Sequence, residues 1–333
     1  MIKIAGRTIG GREPPYIVAE ISGNHGGKIG VALELIRAAK EAGADAVKFQ
    51  AYTPDTITLR IAKPDFIVQD GLWKGRTLYE LYEKAHTPME WLPHLFREAQ
   101  TIGITAFASV FDKSSIDRLE AIGCPAYKIA SFEITDIPLI DYAASKGKPL
   151  IISTGMASDR EVMEAAYVAP ASVFLHCTSE YPGTVERANL WRINHLNEIL
   201  NHRNMIGLSD HTSCPVTVPV TATGMGIAVI EKHIKPDKGQ SEDSEFSLTP
   251  KQFSLMTAAI SNAWGAMQET PVAQVSRQFR RSLYAVDNIK KGEIFTESNI
   301  RSIRPGFGMA PKMLPKMLGR IATKDFRKGD PLT

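Results

Sequence analysis

Two histidines in the second half of the chain each end a strand-like run of residues. His211 closes the run MIGLSDH, and His233 closes the run AVIEKH. Histidines at the carboxyl ends of successive strands are well placed to share one metal ion or one substrate. A single histidine at a sheet edge is more often a structural residue whose hydrogen bonds are satisfied. Because the pattern occurs twice, each time beside charged residues, we interpret the two histidines as a functional pair.

Two lysines interrupt runs that are otherwise apolar. Lys48 lies in AVKFQAY, and Lys128 lies in AYKIAS. A buried lysine is costly without an anionic partner, so each either meets a bound anion or forms a buried ion pair with Glu20 or Glu133. We favour the bound anion, because two such lysines in facing strands point to one shared ligand.

Further polar residues share a position at or just beyond the carboxyl end of a strand-like run. They are Glu20, Gln50, Ser109, Ser131, Glu133, Ser153, Ser179, Tyr181 and Ser209. One serine in such a place more often makes a local turn hydrogen bond, but several at neighbouring strand ends suit a cradle for phosphate and carboxylate. The residues together predict an enzyme that binds a small phosphorylated or carboxylated acid on lysines. A divalent metal on the two histidines and carboxylates for proton transfer complete this hypothesis.

Eight strand-like runs, alternating with helix-like segments, must position these residues. The runs span residues 16–22, 46–52, 104–110, 126–131, 149–155, 172–178, 205–210 and 228–233. They are short and mostly apolar, as expected for parallel strands that are covered on both faces. Eight strand–helix units over about 260 residues predict an α/β fold of the (β/α)8 or TIM-barrel type, whose active site lies at the carboxyl ends of the strands. A doubly wound sheet is the alternative, but SGNHGG after the first run lacks the glycine pattern of a dinucleotide loop.

A long insertion follows the second strand-like run. It reads TPDTITLRIAKPDFIVQDGLWKGRTLYELYEKAHT and is rich in proline, aromatic and charged residues. Loops at this end of a barrel carry specificity, so the insertion is a candidate lid or sugar-side wall. An ordinary surface excursion with one short helix, LYELYEKA, explains the pattern equally well.

A change in the sequence pattern, from alternating strand-like and helix-like segments to short β-like runs, predicts two domains. They are a barrel over residues 1–270 and a small domain over residues 271–333. The second segment has short β-like runs and two Lys-Gly turns, and it carries 13 Lys/Arg against 5 Asp/Glu. The stretch from residue 280 to residue 333 has about 55 residues, which is near the lower limit for an independent core, so we expect it to lean on the barrel or on a partner subunit. The basic residues are scattered and do not interleave with aromatics, which favours an anionic substrate or an acidic surface over nucleic acid.

The composition is that of an ordinary globular protein, with 44% hydrophobic and 23% charged residues among 333. No run approaches the roughly 20 apolar residues of a membrane helix, and the first residues lack the apolar core of a signal peptide. The three cysteines are odd in number and widely spaced. They suit a reducing cytoplasm and predict no disulfide framework.

Recognisable motifs run through nearly the whole chain. They are AEISGNHGG, DAVKFQ, YKIASFE, ISTGMAS, HCTSEYPG, GLSDH, VIEKHI and the terminal RRSLYA…IKKGE…IRPGFG. These motifs resemble the sialic acid (nonulosonic acid) synthase family, and the pairing of GLSDH with EKH is the most specific. The resemblance implies a TIM barrel joined to a small antifreeze-like (SAF) domain, which reaches over the barrel of the other subunit in a domain-swapped homodimer. It also implies condensation of phosphoenolpyruvate with an N-acetylated sugar aldehyde, with a divalent metal (Mn²⁺, Mg²⁺ or Co²⁺).

The resemblance also implies a role for each candidate residue. The implied metal ligands are His211 and His233. The implied phosphoenolpyruvate contacts are Lys48, Ser109, Lys128, Ser131, Ser153 and Ser209, with Ser179 where some relatives have Asn. The implied sugar contacts are Glu20, Gln50, Tyr181 and Asp243, with Arg304 supplied by the partner subunit. Glu133 is the candidate proton-transfer residue, grouped with Glu20 and Lys128 as catalytic. Val110 stands where the family usually has Pro.

The substrate branch is suggested by the insertion and by the segment after the last strand. YTPDTITL, GLW, LYELYEKAHTP and SEDSEFSL look most like the pseudaminic acid branch of the family, which uses 2,4-diacetamido-2,4,6-trideoxy-L-altrose. The neuraminic and legionaminic acid branches are the alternatives. A non-catalytic carbohydrate-binding protein is the alternative of another class, but a pure binder has no need of two buried lysines and two metal-type histidines.

Overall fold

A computed structural model describes residues 1–269 and 276–333 of the chain. The chain divides into two compact units, Met1–Gln268 and Glu269–Thr333. The predicted boundary between residues 270 and 271 lies outside the described residues.

The first unit is a closed parallel barrel preceded by a short hairpin. The hairpin pairs β1 (Ile2–Ile4) with β2 (Arg7–Ile9). The barrel strands are β3 (Tyr16–Glu20), β4 (Ala46–Ala51), β5 (Thr105–Val110), β6 (Tyr127–Ile129), β7 (Leu150–Ser153), β8 (Val173–His176), β9 (Met205–Asp210) and β10 (Val229–His233). They follow one another around the barrel in chain order, and β10 closes it against β3. The predicted TIM barrel is confirmed.

Helices follow the strands, and those outside the long insertion after the second barrel strand cover the outside of the barrel. They are α1 (Ile29–Glu41), α2 (Pro54–Ile57), α3 (Leu78–Ala85), α4 (Leu92–Ile102), α5 (Lys113–Ala121), α6 (Ile137–Ser145), α7 (Asp159–Val168), α8 (Trp191–Ile199), α9 (Thr217–Gly224) and α10 (Pro250–Ala266). Side-chain caps define several starts: Ser158 and Glu161 form a capping box at α7, which satisfies otherwise unpaired backbone donors. None of the described helices combines the length and the apolar character that crossing a membrane requires.

Strand alternation decides which polar residues face the inside of the barrel. Glu231 and His233 point the same way along β10, whereas Lys232 between them points to the other face. Lys232 is buried there, and its Nζ lies 2.6 Å from Asp210 Oδ2 of β9. This ion pair satisfies two buried charges on the helix-covered side, so Lys232 belongs to the scaffold.

The second unit has its own small core. It pairs β11 (Ser282–Ala285) with β12 (Ile300–Ile303) in antiparallel register and adds the short helix α11 (Leu314–Met317). Its buried apolar cluster comprises Leu283, Ala285, Ile289, Phe295, Ile300, Ala322, Phe326 and Leu332. Both Lys-Gly turns place the glycine at positive φ, 96° at Gly292 and 97° at Gly329, a conformation that costs glycine little.

Candidate active site

The carboxyl ends of the barrel strands open into a cavity of about 750 Å³. Thirteen of the residues predicted from the sequence line it. They are Lys48, Gln50, Ser109, Lys128, Ser131, Glu133, Ser153, Ser179, Tyr181, Ser209, His211, His233 and Asp243. Because they come from strands all around the barrel and from the segments that follow those strands, the closed sheet brings them together.

Lys48 is buried in a network of opposite charge at the floor of this cavity. Its Nζ lies 2.5 Å from Glu20 Oε2 and 3.6 Å from Glu231 Oε2, and it donates to Ser109 Oγ at 2.9 Å. Burial lowers the pKa of Lys48, but the two carboxylates outweigh burial and raise the pKa above its ordinary value. Lys48 therefore stays charged, with Glu20 as the ion-pair partner that the sequence offered as one explanation.

Lys128 has a different environment. Its Nζ donates to the carbonyl oxygen of Ile129 at 3.0 Å and to Ser153 Oγ at 2.6 Å, both neutral acceptors. Within residues 1–269 and 276–333, no carboxylate oxygen comes within ion-pair distance of this ammonium. Burial lowers the pKa of Lys128. The charge of Lys128 is thus the one left for an incoming anion to neutralise.

The two histidines lie side by side, with ring centroids 5.6 Å apart. His211 Nδ1 is held at 2.9 Å from the carbonyl oxygen of Thr178, which leaves Nε2 directed elsewhere. His233 is buried, and its Nδ1 has no hydrogen-bond partner among the described residues. Burial lowers the pKa of both rings, and the neighbouring His211 lowers that of His233 further. Neutral imidazoles are the form that binds metals.

This pair fits a divalent metal ion. An unpartnered buried nitrogen on His233 and a second-sphere carbonyl that orients His211 are typical of imidazole ligands. In the part of the chain that the structure describes, no third His, Cys, Asp or Glu completes a cluster with them. Two protein ligands leave coordination positions for substrate oxygens and water.

Aromatic side chains enclose the histidines. The ring of Tyr181 lies 4.4 Å from that of His211, and the ring of Phe246 lies 4.8 Å from that of His233. Trp73, from the insertion, contacts both, at 5.8 Å from Tyr181 and 6.4 Å from Phe246. These rings limit the access of water to the histidines, which strengthens electrostatic interactions inside the cavity.

Glu133 follows β6 and has an unsatisfied oxygen. Its Oε2 is buried without a hydrogen-bond partner in the described residues. Burial raises the pKa of Glu133 to about 7, against a smaller lowering by Lys128. A carboxyl group that titrates near neutral pH suits general acid–base chemistry.

Ser131 and Ser179 meet the backbone of Gly155 at a close approach. The Gly155 N–H donates to Ser131 Oγ at 3.0 Å. A Cβ at position 155 would lie 2.4 Å from Ser179 Oγ and 2.9 Å from Ser131 Oγ. Only glycine leaves room here, so the sequence STG after β7 is a requirement of the site rather than a generic turn.

Two predicted residues lie outside the cavity lining. Glu20 is fully buried behind it, where it pairs with Lys48 and accepts from Gln50 Nε2 at 3.1 Å. Arg304 belongs to the second unit, where it follows β12 and is exposed. Asp243 does line the cavity, and its Oδ2 accepts from the backbone N–H of Gly23 at 3.2 Å. The roles of these residues toward the sugar stay predictions.

The predicted site residues leave out three contributors, Phe246, Trp73 and Glu231, the last of which the sequence marks only as a charged residue at a strand end. Glu231 accepts from Ser209 Oγ at 3.0 Å, and Lys48 and Lys128 overcome its burial to lower its pKa. The two-residue spacing from Glu231 to His233 would have identified it, since such residues share a face of the strand. Trp73 and Phe246 come from loops, where no periodicity indicates direction.

Comparisons with known proteins show which family the chain is similar to. A model described as the NeuB family matches residues 35–271, and a SAF domain model matches residues 280–333. A pseudaminic acid synthase of Campylobacter jejuni (strain 81-176) is 46% identical over 328 residues, which cover 95% of each chain. One of Helicobacter pylori is 40% identical, covering 96% of this chain and 97% of the relative. The crystal structure of an N-acetylneuraminic acid synthetase from Leptospira borgpetersenii is 30% identical, with a TM-score of 0.72, and covers 83% of this chain and 93% of that one.

Proposed function

The chain belongs to the NeuB family, and we propose from this premise that it is a pseudaminic acid synthase. It condenses phosphoenolpyruvate with 2,4-diacetamido-2,4,6-trideoxy-L-altrose and water, and it releases pseudaminic acid and phosphate. The observation that carries the chemistry is that two buried lysines and two buried neutral histidines line one cavity. The choice of sugar is supported by the 46% identity to the Campylobacter jejuni relative.

The lysines and serines explain how the acid is held. Phosphoenolpyruvate brings a carboxylate and a phosphate into a cavity where Lys128 has no carboxylate within ion-pair distance among the described residues. Ser153 and Ser109, which now accept from the two lysines, become free to donate to the anion. Charged donors preorganised in a water-poor site stabilise negative charge throughout the reaction.

The reaction forms one carbon–carbon bond and breaks one carbon–oxygen bond. Carbon 3 of phosphoenolpyruvate attacks the aldehyde carbon, and the aldehyde oxygen takes up a proton. Water adds at carbon 2, and the tetrahedral intermediate expels phosphate. Glu133, with its pKa of about 7, accepts the proton of the attacking water.

The histidine pair is proposed as the metal site. Polarisation of the sugar aldehyde is the chemistry that a divalent ion such as Mn²⁺ supplies when His211 and His233 hold it. The chain itself contributes the neutral state of both rings and the orientation of His211 by the Thr178 carbonyl. Alanine in place of either histidine is expected to remove bound metal and activity together, which elemental analysis and a turnover assay measure.

The assembly is proposed to be a homodimer in which Arg304 of one subunit serves the site of the other. Arg304 is exposed in the second unit, and a guanidinium offers five N–H donors that can donate to the amide and hydroxyl oxygens of an N-acetylated sugar. Support comes from the resemblance of IRPGFG to the antifreeze-like domain of this family and from the SAF match over residues 280–333.

A phosphate-release assay with a panel of sugars tests the proposed function. Release is expected only when phosphoenolpyruvate, a divalent metal and the 6-deoxy diacetamido altrose are all present, and the Lys128→Met variant serves as the control with weakened phosphoenolpyruvate binding. Activity on N-acetylmannosamine or on the legionaminic acid precursor, with none on the altrose derivative, would assign a different branch. Sugar binding without turnover would instead support a non-catalytic carbohydrate-binding protein.

A further inference from the structure

The insertion between β4 and α4 builds one side of the cavity, and that side is apolar. Five aliphatic side chains of the insertion larger than alanine line the cavity, namely Ile57, Val68, Leu72, Leu78 and Leu81, and Trp73, Tyr82 and Ala85 of the insertion line it as well. Asp70 also contributes to the lining, but its side chain is 93% exposed and is directed to water. We call these five apolar residues the insertion wall. It contrasts with the rest of the cavity, where lysines, serines and histidines dominate the lining.

The insertion wall is anchored rather than loose. Residues 67–77 form a small hairpin in which Val68 N donates to the Arg76 carbonyl at 2.9 Å and Gly75 N donates to the Val68 carbonyl at 2.9 Å. Two side chains then tie the hairpin to the segment after β10. Trp73 Nε1 donates to the Glu242 carbonyl at 3.1 Å, and Arg76 forms an ion pair with the Glu242 carboxylate. These two contacts to Glu242 hold the hairpin in place, which preorganises its part of the wall for a ligand and reduces the entropic cost of binding.

The insertion wall lies close to the reacting centre. Trp73 in the same hairpin packs 5.8 Å from Tyr181, whose ring is 4.4 Å from that of His211. A single aromatic side chain thus separates the hairpin from the histidines. With its aldehyde at the histidines, a sugar that extends toward this hairpin brings its far end, carbons 4 to 6, to the wall.

We propose that the insertion wall recognises the methyl-bearing end of the sugar, namely the carbon 6 methyl and the acetamido methyl at carbon 4. This inference rests on the proposed function, because it takes the 6-deoxy diacetamido sugar as the substrate. An apolar wall gains from the burial of each methyl group. A hydroxyl at carbon 6 would lose its water there without a replacement hydrogen bond, which is unfavourable. The wall therefore selects against sugars that keep the carbon 6 hydroxyl.

The test is a comparison of two sugars that differ only at carbon 6, the 6-deoxy altrose derivative and its 6-hydroxy counterpart. Leu72→Asn, which places an amide in the wall, is expected to lower the kcat/KM preference for the 6-deoxy sugar by about tenfold, the lower end of what one buried methyl contributes. The KM for phosphoenolpyruvate is expected to stay unchanged, because the acid binds at the lysines. Leu59→Asn is the matched control: Leu59 is in the same insertion but 62% exposed, so its replacement should leave the preference intact.

A conservative variant separates recognition from folding. Leu72→Met keeps the wall apolar and should retain the preference, with melting temperatures measured for all variants. An unchanged preference in a folded Leu72→Asn, or an equal loss for both sugars, would overturn the wall inference while the proposed function stands. If the unsubstituted enzyme does not turn over the 6-deoxy sugar at all, the proposed function is wrong and the wall inference is wrong with it.

Discussion

At the scale of single residues, the two buried lysines have different roles. One forms ion pairs within the fold, and the other is available to bind an anion. Lys48 is neutralised by Glu20 and approached by Glu231, so the fold itself depends on its charge. The Lys128 ammonium donates hydrogen bonds to a carbonyl oxygen and a hydroxyl oxygen, and burial lowers its pKa. The sequence placed both in strands and offered either an anion or an ion pair as their partner. The sequence could not tell which lysine forms the ion pair and which meets the anion. The answer depends on which neighbouring strands place carboxylates near each ammonium.

Replacement of each lysine by methionine should separate the two roles. Lys128→Met is expected to raise the KM for phosphoenolpyruvate at least about 30-fold, since a buried charge contact is worth several kcal/mol, with little loss of stability. Lys48→Met should lower the free energy of unfolding by about 3–5 kcal/mol, because it leaves buried carboxylates without a cation. Steady-state kinetics and denaturant unfolding measure the two effects. Equal stability losses in both variants would contradict the division.

The pKa of Glu133 predicts how activity depends on pH. Because burial raises that pKa to about 7, the carboxyl is protonated below pH 7 and accepts a proton from water only above it. We expect kcat/KM to rise with pH through about 7. For Glu133→Gln, we expect kcat/KM to be low and independent of pH over the same range. If the kcat/KM of Glu133→Gln still rises with pH near 7, the proton transfer belongs to another group.

The same shift predicts a stability difference. A carboxyl with a raised folded-state pKa contributes stability that is present below its unfolded pKa of 4.5 and is lost as the pH rises through about 7. The melting temperature of Glu133→Gln, relative to that of the parent protein, should therefore increase between pH 5 and pH 8. Glu186→Gln, at an exposed position, is the control that should show no such trend.

At the scale of elements, the barrel strands were predictable and the insertion was not. All eight strand-like runs form strands, because parallel strands buried on both faces need apolar residues at every position. The helix LYELYEKA was predicted and is α3 (Leu78–Ala85). The direction of Trp73, and with it the insertion wall, depends on a hydrogen bond and an ion pair to Glu242, 166 or more residues away along the chain. Long-range pairings of loop residues leave no periodic signal in a sequence.

Glycine positions in the barrel give an element-scale prediction. A Cβ at Gly207 of β9 would lie 2.6 Å from both Leu175 Cδ2 and the Val229 carbonyl oxygen of the flanking strands. Gly207→Ala should therefore strain the barrel and lower the free energy of unfolding by about 1–3 kcal/mol. Gly30→Ala is the control: in α1 its Cβ meets nothing within 4 Å, so stability should stay equal or rise slightly. A Gly207→Ala protein as stable as the parent would mean that the strands shift freely, contrary to a closed sheet.

At the scale of the whole molecule, the change in texture after the last barrel helix predicted a second compact unit. The structure describes one over Glu269–Thr333 with its own apolar cluster. Its basic residues are spread through turns and strand ends, which is why the charge count alone could not say which arginine meets a ligand. Arg304 was chosen through the resemblance of IRPGFG, and no pattern of spacing in the chain singles it out from its neighbours.

Mixing two impaired variants, at a phosphoenolpyruvate concentration well below the raised KM of Lys128→Met, tests whether the active site is shared between subunits. Arg304→Ala removes the proposed partner contribution, and Lys128→Met removes the anion site of the barrel. In a mixed dimer, the barrel of the Arg304→Ala chain is intact and receives Arg304 from the other chain, so one site of two is complete. Random mixing makes half of the dimers mixed, and activity should recover to about a quarter of that of the parent enzyme. Refolded or co-expressed mixtures, assayed for phosphate release at rising ratios, measure this recovery. Activity equal to the weighted mean of the two variants would show that each subunit serves its own site, since no new site would arise from mixing.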